Sequence, residues 1–422
     1  MKFDFTGLLK NEMKPALGVT EVGAIALAAA RAYAAVGGEL QGIRMVMNGG
    51  MYKNAFSCAI PGTEELGCNM AAALGALGGD WTLGLEVLKN ITAAHVAEAK
   101  ALQIPMDIKA DETKEGIYIL AEIRTSEGVG VCRIEDFHAN IVFVAKNDTV
   151  LFQAEQTKAA EQQQAFDFEA VTVADMVDYA KTVPIAELSC VKEMIAMNCA
   201  LSVEGEKGVG LQIWKTLAVF RNRGAVGDDM IYAAQRLTCS AMDARLAGLP
   251  LPAMSIVGSG SHGILCSMPV VSYGRFAGKT EEEIIRGVAL SCLITIFSKH
   301  YTGRLSALCG CVLGGGSGAA AGIVLLMGGG AKETSAAMDH MAANLTGMIC
   351  DGGSIGCALK ASAGVYAAYL SAMLAMEGIA IPHNFGVIGS SAEQTEKNLG
   401  RISDEGMAPM DSTIIDVMQK GK

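Results

Sequence analysis

Three stretches of hydrophobic patterning divide the chain. From about residue 14 to 79 the apolar positions are small and run at helical spacing, as in GAIALAAARAYAAVGG (Gly23–Gly38) and NMAAALGALGG (Asn69–Gly79). Paired glycines end each run, a stop signal for a helix, and Pro61–Gly62 marks a turn between them. Between about 80 and 185 the period shortens. GIYILAEIRTSEGVGVCRI and HANIVFVAKNDTVLF alternate β-branched and polar residues around a KND turn, which predicts antiparallel strands. QQQAFDFEAVTVADM then adds a polar, acidic stretch. From 186 onward, MIYAAQRLTCSAMDARLAG, EEEIIRGVALSCLITIFSKH and SAGVYAAYLSAMLAMEG return to Ala/Gly/Met-rich helical spacing. The ends share one character and the middle another. The expected fold is α+β: a discontinuous helical catalytic domain, 1–79 and 186–422, carrying an inserted small α/β domain, 80–185. No repeat of solenoid period is present.

Composition narrows the function. Hydrophobic residues make up 51% of the 422 and charged residues 18%, which excludes a disordered chain. A net charge of −11 excludes a nucleic-acid partner, because phosphate binding needs a positive field. The amino terminus, MKFDFTGLLKNEMKPALG, has charges where an export signal needs an apolar run, so a cytoplasmic location is expected. Most of its 12 cysteines then read as reduced core thiols, with a few as candidate metal ligands. The uncharged span Leu305–Ala331 is long enough to cross a membrane, yet nine of its residues are glycine and no aromatic belt flanks it. It reads as two buried helices broken at the triplets Gly314–Gly316 and Gly328–Gly330, and no membrane partner is expected. The small-residue helices favour a homodimer.

Four segments place polar groups among glycines. In KPALGVTEVGAIALAAA, Thr20 reads as a helix cap with Glu21 in the first turn, where backbone N–H groups would meet a substrate carboxylate. In MNGGMYKNAFSCAIPGT, Asn48, Lys53 and Asn54 are candidate carboxylate binders. VGSGSHGILCSMPV offers Ser259, Ser261 and His262; it opens no βαβ unit, which excludes a dinucleotide site. RLSALCGCVLGG and GMICDGGSIGCALK carry Cys309, Cys311, Cys350 and Cys357. Their C-x-C and C-x₆-C spacings lack zinc knuckles, whereas an iron–sulfur cluster accepts thiols from separate loops. Four buried thiols acting as small hydrophobes is the competing reading.

KPALG-x-TE, YKNA…IPGT, AAALGALGGD, MS-x-x-GSG-x-x-G, YTGRLSALCGC and GMICDG…GCALK follow one another along nearly the whole chain. In this order they resemble the L-cysteine desulfidase family, whose catalytic part is similar to the alpha subunit of iron–sulfur L-serine dehydratases. The resemblance implies a [4Fe–4S] cluster on three cysteines and α,β-elimination of HS⁻ or water from L-cysteine or L-serine. It implies Cys309, Cys350 and Cys357 as metal ligands. Thr20, Glu21, Asn48, Lys53, Asn54, Ser259 and Ser261 would shape the pocket, with His262, Lys299 and His300 as candidate bases. Two positions depart from the family. Its usual G-C-T-E-P is Gly18-Val19-Thr20-Glu21-Val22 here, and valine cannot ligate iron. A common Asn–Gln pair is Ser261–His262. Three readings follow: the set Cys309, Cys350 and Cys357, with Cys311 close by; a replacement thiol from Cys58 or Cys68; or a member without a cluster that binds a small carboxylated ligand or acts on another substrate.

Overall fold

The computed structural model describes residues 2–154 and 166–420; Gln162–Ala165 of the polar stretch lie outside them. The fold is α+β, as the patterning predicts. Helices dominate, with two sheets among the described residues. The smaller pairs β1 (Met13–Leu17) antiparallel with β8 (Pro252–Ile256), Met13 opposite Ile256 and Leu17 opposite Pro252. The larger runs in the order β3-β2-β4-β5-β6-β7. Its strands are β2 (Leu40–Met47), β3 (Met106–Ala110), β4 (Tyr118–Thr125), β5 (Gly128–Glu135), β6 (Ile141–Lys146) and β7 (Thr149–Gln153). Only β2 and β3 pair parallel.

Residues 14–79 therefore hold more than the helices and loops their pattern predicts. β1 is only five residues long with Pro15 inside it, and Gly42 interrupts the side-chain alternation of β2, so their period is hard to read and tertiary pairing decides their form. β2 is the second strand of the sheet, so the sheet draws on both sides of residue 80. Its helix-facing side rests on Thr20–Val36. A side chain at Gly130 of β5 would meet the carbonyl of Ala32, so that approach requires glycine.

The helical core forms around Gly260–Phe276, Glu281–Thr302, Gly316–Leu326 and Cys357–Met376. Small residues let these backbones approach closely. A Cβ on Gly318 would run into the Ser291 carbonyl oxygen, and one on Gly322 would lie 2.6 Å from that of Gly287. The triplet Gly314–Gly316 does not break the apolar span as expected. Cys311–Gly315 forms a π-helical turn that runs straight into Gly316–Leu326, and the break falls only at Gly328–Gly330. That span is buried within the core. Among the described residues one helix, Cys357–Met376, is long and apolar enough to cross a membrane, and half of its apolar window is buried.

Candidate functional site

Two distant cysteine segments are brought together by a short bridge between Leu308 and Ile349. The Cys309 amide donates to the Met348 carbonyl at 2.9 Å, and the Cys350 amide donates to that of Ala307 at 2.8 Å. Cys311 opens the π-helical turn and Cys357 opens the helix Cys357–Met376. All four thiols line one cavity. The Cys311 thiol hydrogen-bonds to that of Cys309, which lowers Cys309 and raises Cys311, so Cys309 ionises first. Burial raises Cys350, against the nearby Lys53 charge, and lifts Cys357 to about 11. Lys360 forms an ion pair with Asp351 beside them.

Gly310, between Cys309 and Cys311, is the contact point for two buried side chains. A Cβ there would lie 2.7 Å from Lys299 Nζ and 2.8 Å from His262 Nε2. Burial lowers Lys299 to about 8, within reach of a working pH. His262 is pushed well below its usual range by burial, then by the Lys299 charge, so its ring is neutral. Ser259 caps the helix Gly260–Phe276 and accepts from the His262 amide at 3.4 Å. Ser261 accepts from Arg245 Nη1 at 2.8 Å. Burial also depresses the Arg245 guanidinium, whose Nε has no partner.

The remaining wall is polar. Asn54 Nδ2 donates to Glu21 Oε1 at 2.8 Å, and the Cys350 thiol faces Asn54 Oδ1 at 3.8 Å. His138, from the turn between β5 and β6, brings Nε2 to 3.9 Å from the same Glu21 oxygen. Arg304 bonds to Glu12 at 2.6 Å and lies over the Phe137 ring, 4.7 Å from its centroid. Val19 also lines the cavity, against Gly353.

The cavity thus gathers Glu21, Asn54, Ser259, Ser261, His262, Lys299, Cys309, Cys311, Cys350 and Cys357. Other candidates stand elsewhere. His300 is one helical position beyond Lys299 and so faces away; it stacks on Phe168 with ring centroids 4.1 Å apart. Lys53 is buried behind the wall, donating to the Cys350 carbonyl at 2.9 Å and to Asp411 at 2.7 Å. Thr20 is not a cap: Gly18, at φ +64°, turns the chain one residue earlier, Val19 takes the cap position, and the Thr20 hydroxyl is buried without a partner. Asn48 precedes the helix Gly49–Ala55, buried outside the lining, with Oδ1 unpartnered. Cys58 sits behind Gly353, donating to the Asn54 carbonyl at 2.6 Å, and Cys68 faces the Tyr52 carbonyl.

Arg245, Arg304 and His138 are lining residues that the sequence reading passed over. Arg304 lies inside the motif YTGRLSALCGC, a usable signal; Arg245 shares the helix Met230–Leu246 with Arg236, and only its complete burial sets it apart. His138 had no such signal, being one polar residue of a hairpin turn. Among the described residues, no group of three or more His, Cys, Asp or Glu side chains is gathered tightly enough for a single metal ion. The four cysteines share one cavity lining.

Fold and cavity together define an α+β protein with a buried, thiol-lined polar site. The serine dehydratase alpha chain profile matches residues 82–416, and the chain belongs to that family. It is 41% identical over 417 residues to a UPF0597 protein of Clostridium botulinum (strain Okra / Type B1), covering 97% of each chain. A UPF0597 protein of Clostridioides difficile (strain 630) is 38% identical over 422 residues, covering 97% of this chain and 98% of its own. One of Bacteroides fragilis is 38% identical over 416 residues, covering 97% and 96%.

Proposed function

We propose that this chain is a lyase that performs iron–sulfur-dependent α,β-elimination on a small amino acid, L-cysteine ahead of L-serine. The observation that carries the reading is the shared cavity of Cys309, Cys311, Cys350 and Cys357 with Lys299, His262 and Arg245. Thiols from two backbone segments, lining one cavity with buried cations, have the donor chemistry a thiolate-bound cluster requires. Cys309, Cys350 and Cys357 would hold it, with Cys311 hydrogen-bonded alongside. When bound, a cluster with an open iron supplies Lewis acidity toward the carboxylate and leaving group.

The chain's own groups do the rest. The N-terminus of Gly260–Phe276, with Ser259 and Ser261, presents N–H and O–H donors to a carboxylate. Arg245 orients Ser261 and adds positive charge. Lys299, at about 8, carries a proton that it can give to departing HS⁻ or HO⁻. Neutral His262 hydrogen-bonds without adding charge. Loss of the α-proton and of the leaving group gives an enamine, which hydrolyses to a keto acid and ammonia.

Val19 favours a second reading. It lines the cavity at the family's cysteine position and presents methyl groups there. A member without a cluster would bind a small carboxylated ligand and not turn it over. Iron and acid-labile sulfide content of anaerobically purified protein separates the two. About four irons per chain with a broad band at roughly 400 nm is the result expected of the lyase. In that protein Cys350→Ala loses iron and turnover together. No iron after anaerobic reconstitution would leave only the binding role.

A further inference from the structure

Elimination needs an acceptor for the α-proton, and the cavity offers one that no motif pointed to. His138 arrives on the turn between β5 and β6, so the sheet contributes a side chain to a site otherwise built by the helices and their loops. It is 6% exposed, and its Nε2 has no hydrogen-bond partner. A buried imidazole nitrogen left unpaired costs about 1–3 kcal/mol, so it calls for a partner that binds there. The ring is held in place on several sides. Its Cε1 and Nδ1 would lie 3.0 Å from a Cβ on Gly258, a position that glycine keeps open at φ +75°. Arg304, over Phe137, anchors the turn itself.

We infer that His138 is a catalytic residue whose Nε2 takes the α-proton of the amino acid bound in the cavity, with Glu21 stabilising the imidazolium and Asn54 orienting Glu21. This rests on the elimination reading above. The Cα–H bond breaks and its electron pair forms the Cα–Cβ double bond. The leaving group departs from Cβ with its own pair, and the proton resides on Nε2. Glu21, itself held by Asn54, lies 3.9 Å from that nitrogen, near enough for its charge to favour a proton there.

The competing bases are less suited. A proton on His262 would sit beside Lys299, with Arg245 and Arg304 also opposing it. A proton on His138 would sit 3.9 Å from a carboxylate, with Arg304 the one opposing cation, itself bonded to Glu12. Burial lowers His138, so the ring starts neutral and able to accept. Lys299 is the natural donor to the leaving group, and one residue does not serve both ends at once.

Two measurements on the anaerobically purified holoprotein test this. In the first, His138→Asn is assayed with L-cysteine and L-serine. Its kcat should fall between about 100-fold and 10,000-fold with KM within about threefold and iron content unchanged. A kcat within about threefold of the parent overturns the inference. The second needs neither turnover nor a stable variant at His138. Histidine-selective ¹⁵N spectra of the unsubstituted protein are recorded with added L-alanine, which has the carboxylate, amine and α-proton but no leaving group. The Nε2 resonance that Glu21→Gln perturbs most is expected to shift on binding, and an unmoved resonance at saturating L-alanine overturns the inference. If the parent turns over neither substrate, the elimination reading fails by itself, and the L-alanine spectra still decide whether His138 contacts an amino acid.

Discussion

Glu396 is 1% exposed, and burial lifts its carboxyl to about 7 from an ordinary 4.5. It lies in the second layer beneath the cavity, near Ser298 and Lys299. Because its folded value is raised, the folded chain keeps a proton that the unfolded chain gives up above about pH 4.5. Its contribution is therefore complete at low pH, declines as pH rises toward 7, and is gone above. The full difference is about 3 kcal/mol. Glu396→Gln should remove this slope: its unfolding midpoint, followed by circular dichroism from pH 5 to 8, should gain on the parent as pH rises. A parallel pair of curves would mean that Glu396 is solvated in the native state. The same scale explains what could be read beforehand. That Cys309, Cys350 and His262 share one cavity was legible because each stands in a glycine-rich motif among apolar neighbours, whereas Lys299 was legible only from its place beside the motif YTGRLSALCGC. Lys53 was legible only as a polar residue of such a motif; its burial against Asp411 depends on a helix 358 positions away.

Among the elements, the Leu308–Ile349 bridge joins the two cysteine segments and the β5–β6 turn brings His138 to the cavity. Neither was readable. A one-pair bridge has no periodicity, and the turn spells polar residues that suit solvent equally well. What was readable was the demand for small residues between helices. Glu281–Thr302 and Gly316–Leu326 meet where Gly318 faces the Ser291 carbonyl oxygen. Gly318→Val would force two backbones apart, and about 3 kcal/mol of destabilisation is expected. The measurement is the shift in urea midpoint, with iron content read in parallel, since Gly316–Leu326 continues directly from the turn that carries Cys311. A midpoint within error of the parent would show that the helices separate easily, contrary to the packing described.

On the scale of the molecule, the patterning of a helical body around a β-rich middle is visible in the chain, and the α+β class follows from it. Pairing across that division was hidden. β1 meets β8 only because residues 13–17 and 252–256 come together in three dimensions, and β2 joins strands that follow it by sixty residues or more. The ion pair between Lys53, on helix Gly49–Ala55, and Asp411, on helix Met410–Lys420, closes a span of 358 positions. Lys53 is 1% exposed and Asp411 partly so. Asp411→Asn should destabilise the chain by about 2 kcal/mol, less than the loss of a fully buried pair, as measured by thermal unfolding. An unchanged midpoint would place water at Lys53.

That clasp has a consequence for how the protein is made. During synthesis Val19, Glu21 and Asn54 leave the ribosome early, while Cys350 and Cys357 follow some three hundred residues later and Asp411 later still. Closing so long a loop costs little more entropy than a loop of half the length, but it cannot happen before its far end exists. Until then the early helices hold a buried-to-be lysine without its counterion and one wall of a pocket without the thiols. The growing chain therefore spends most of its translation without the complete cavity. The pocket closes only at release, after the last helix is free to dock.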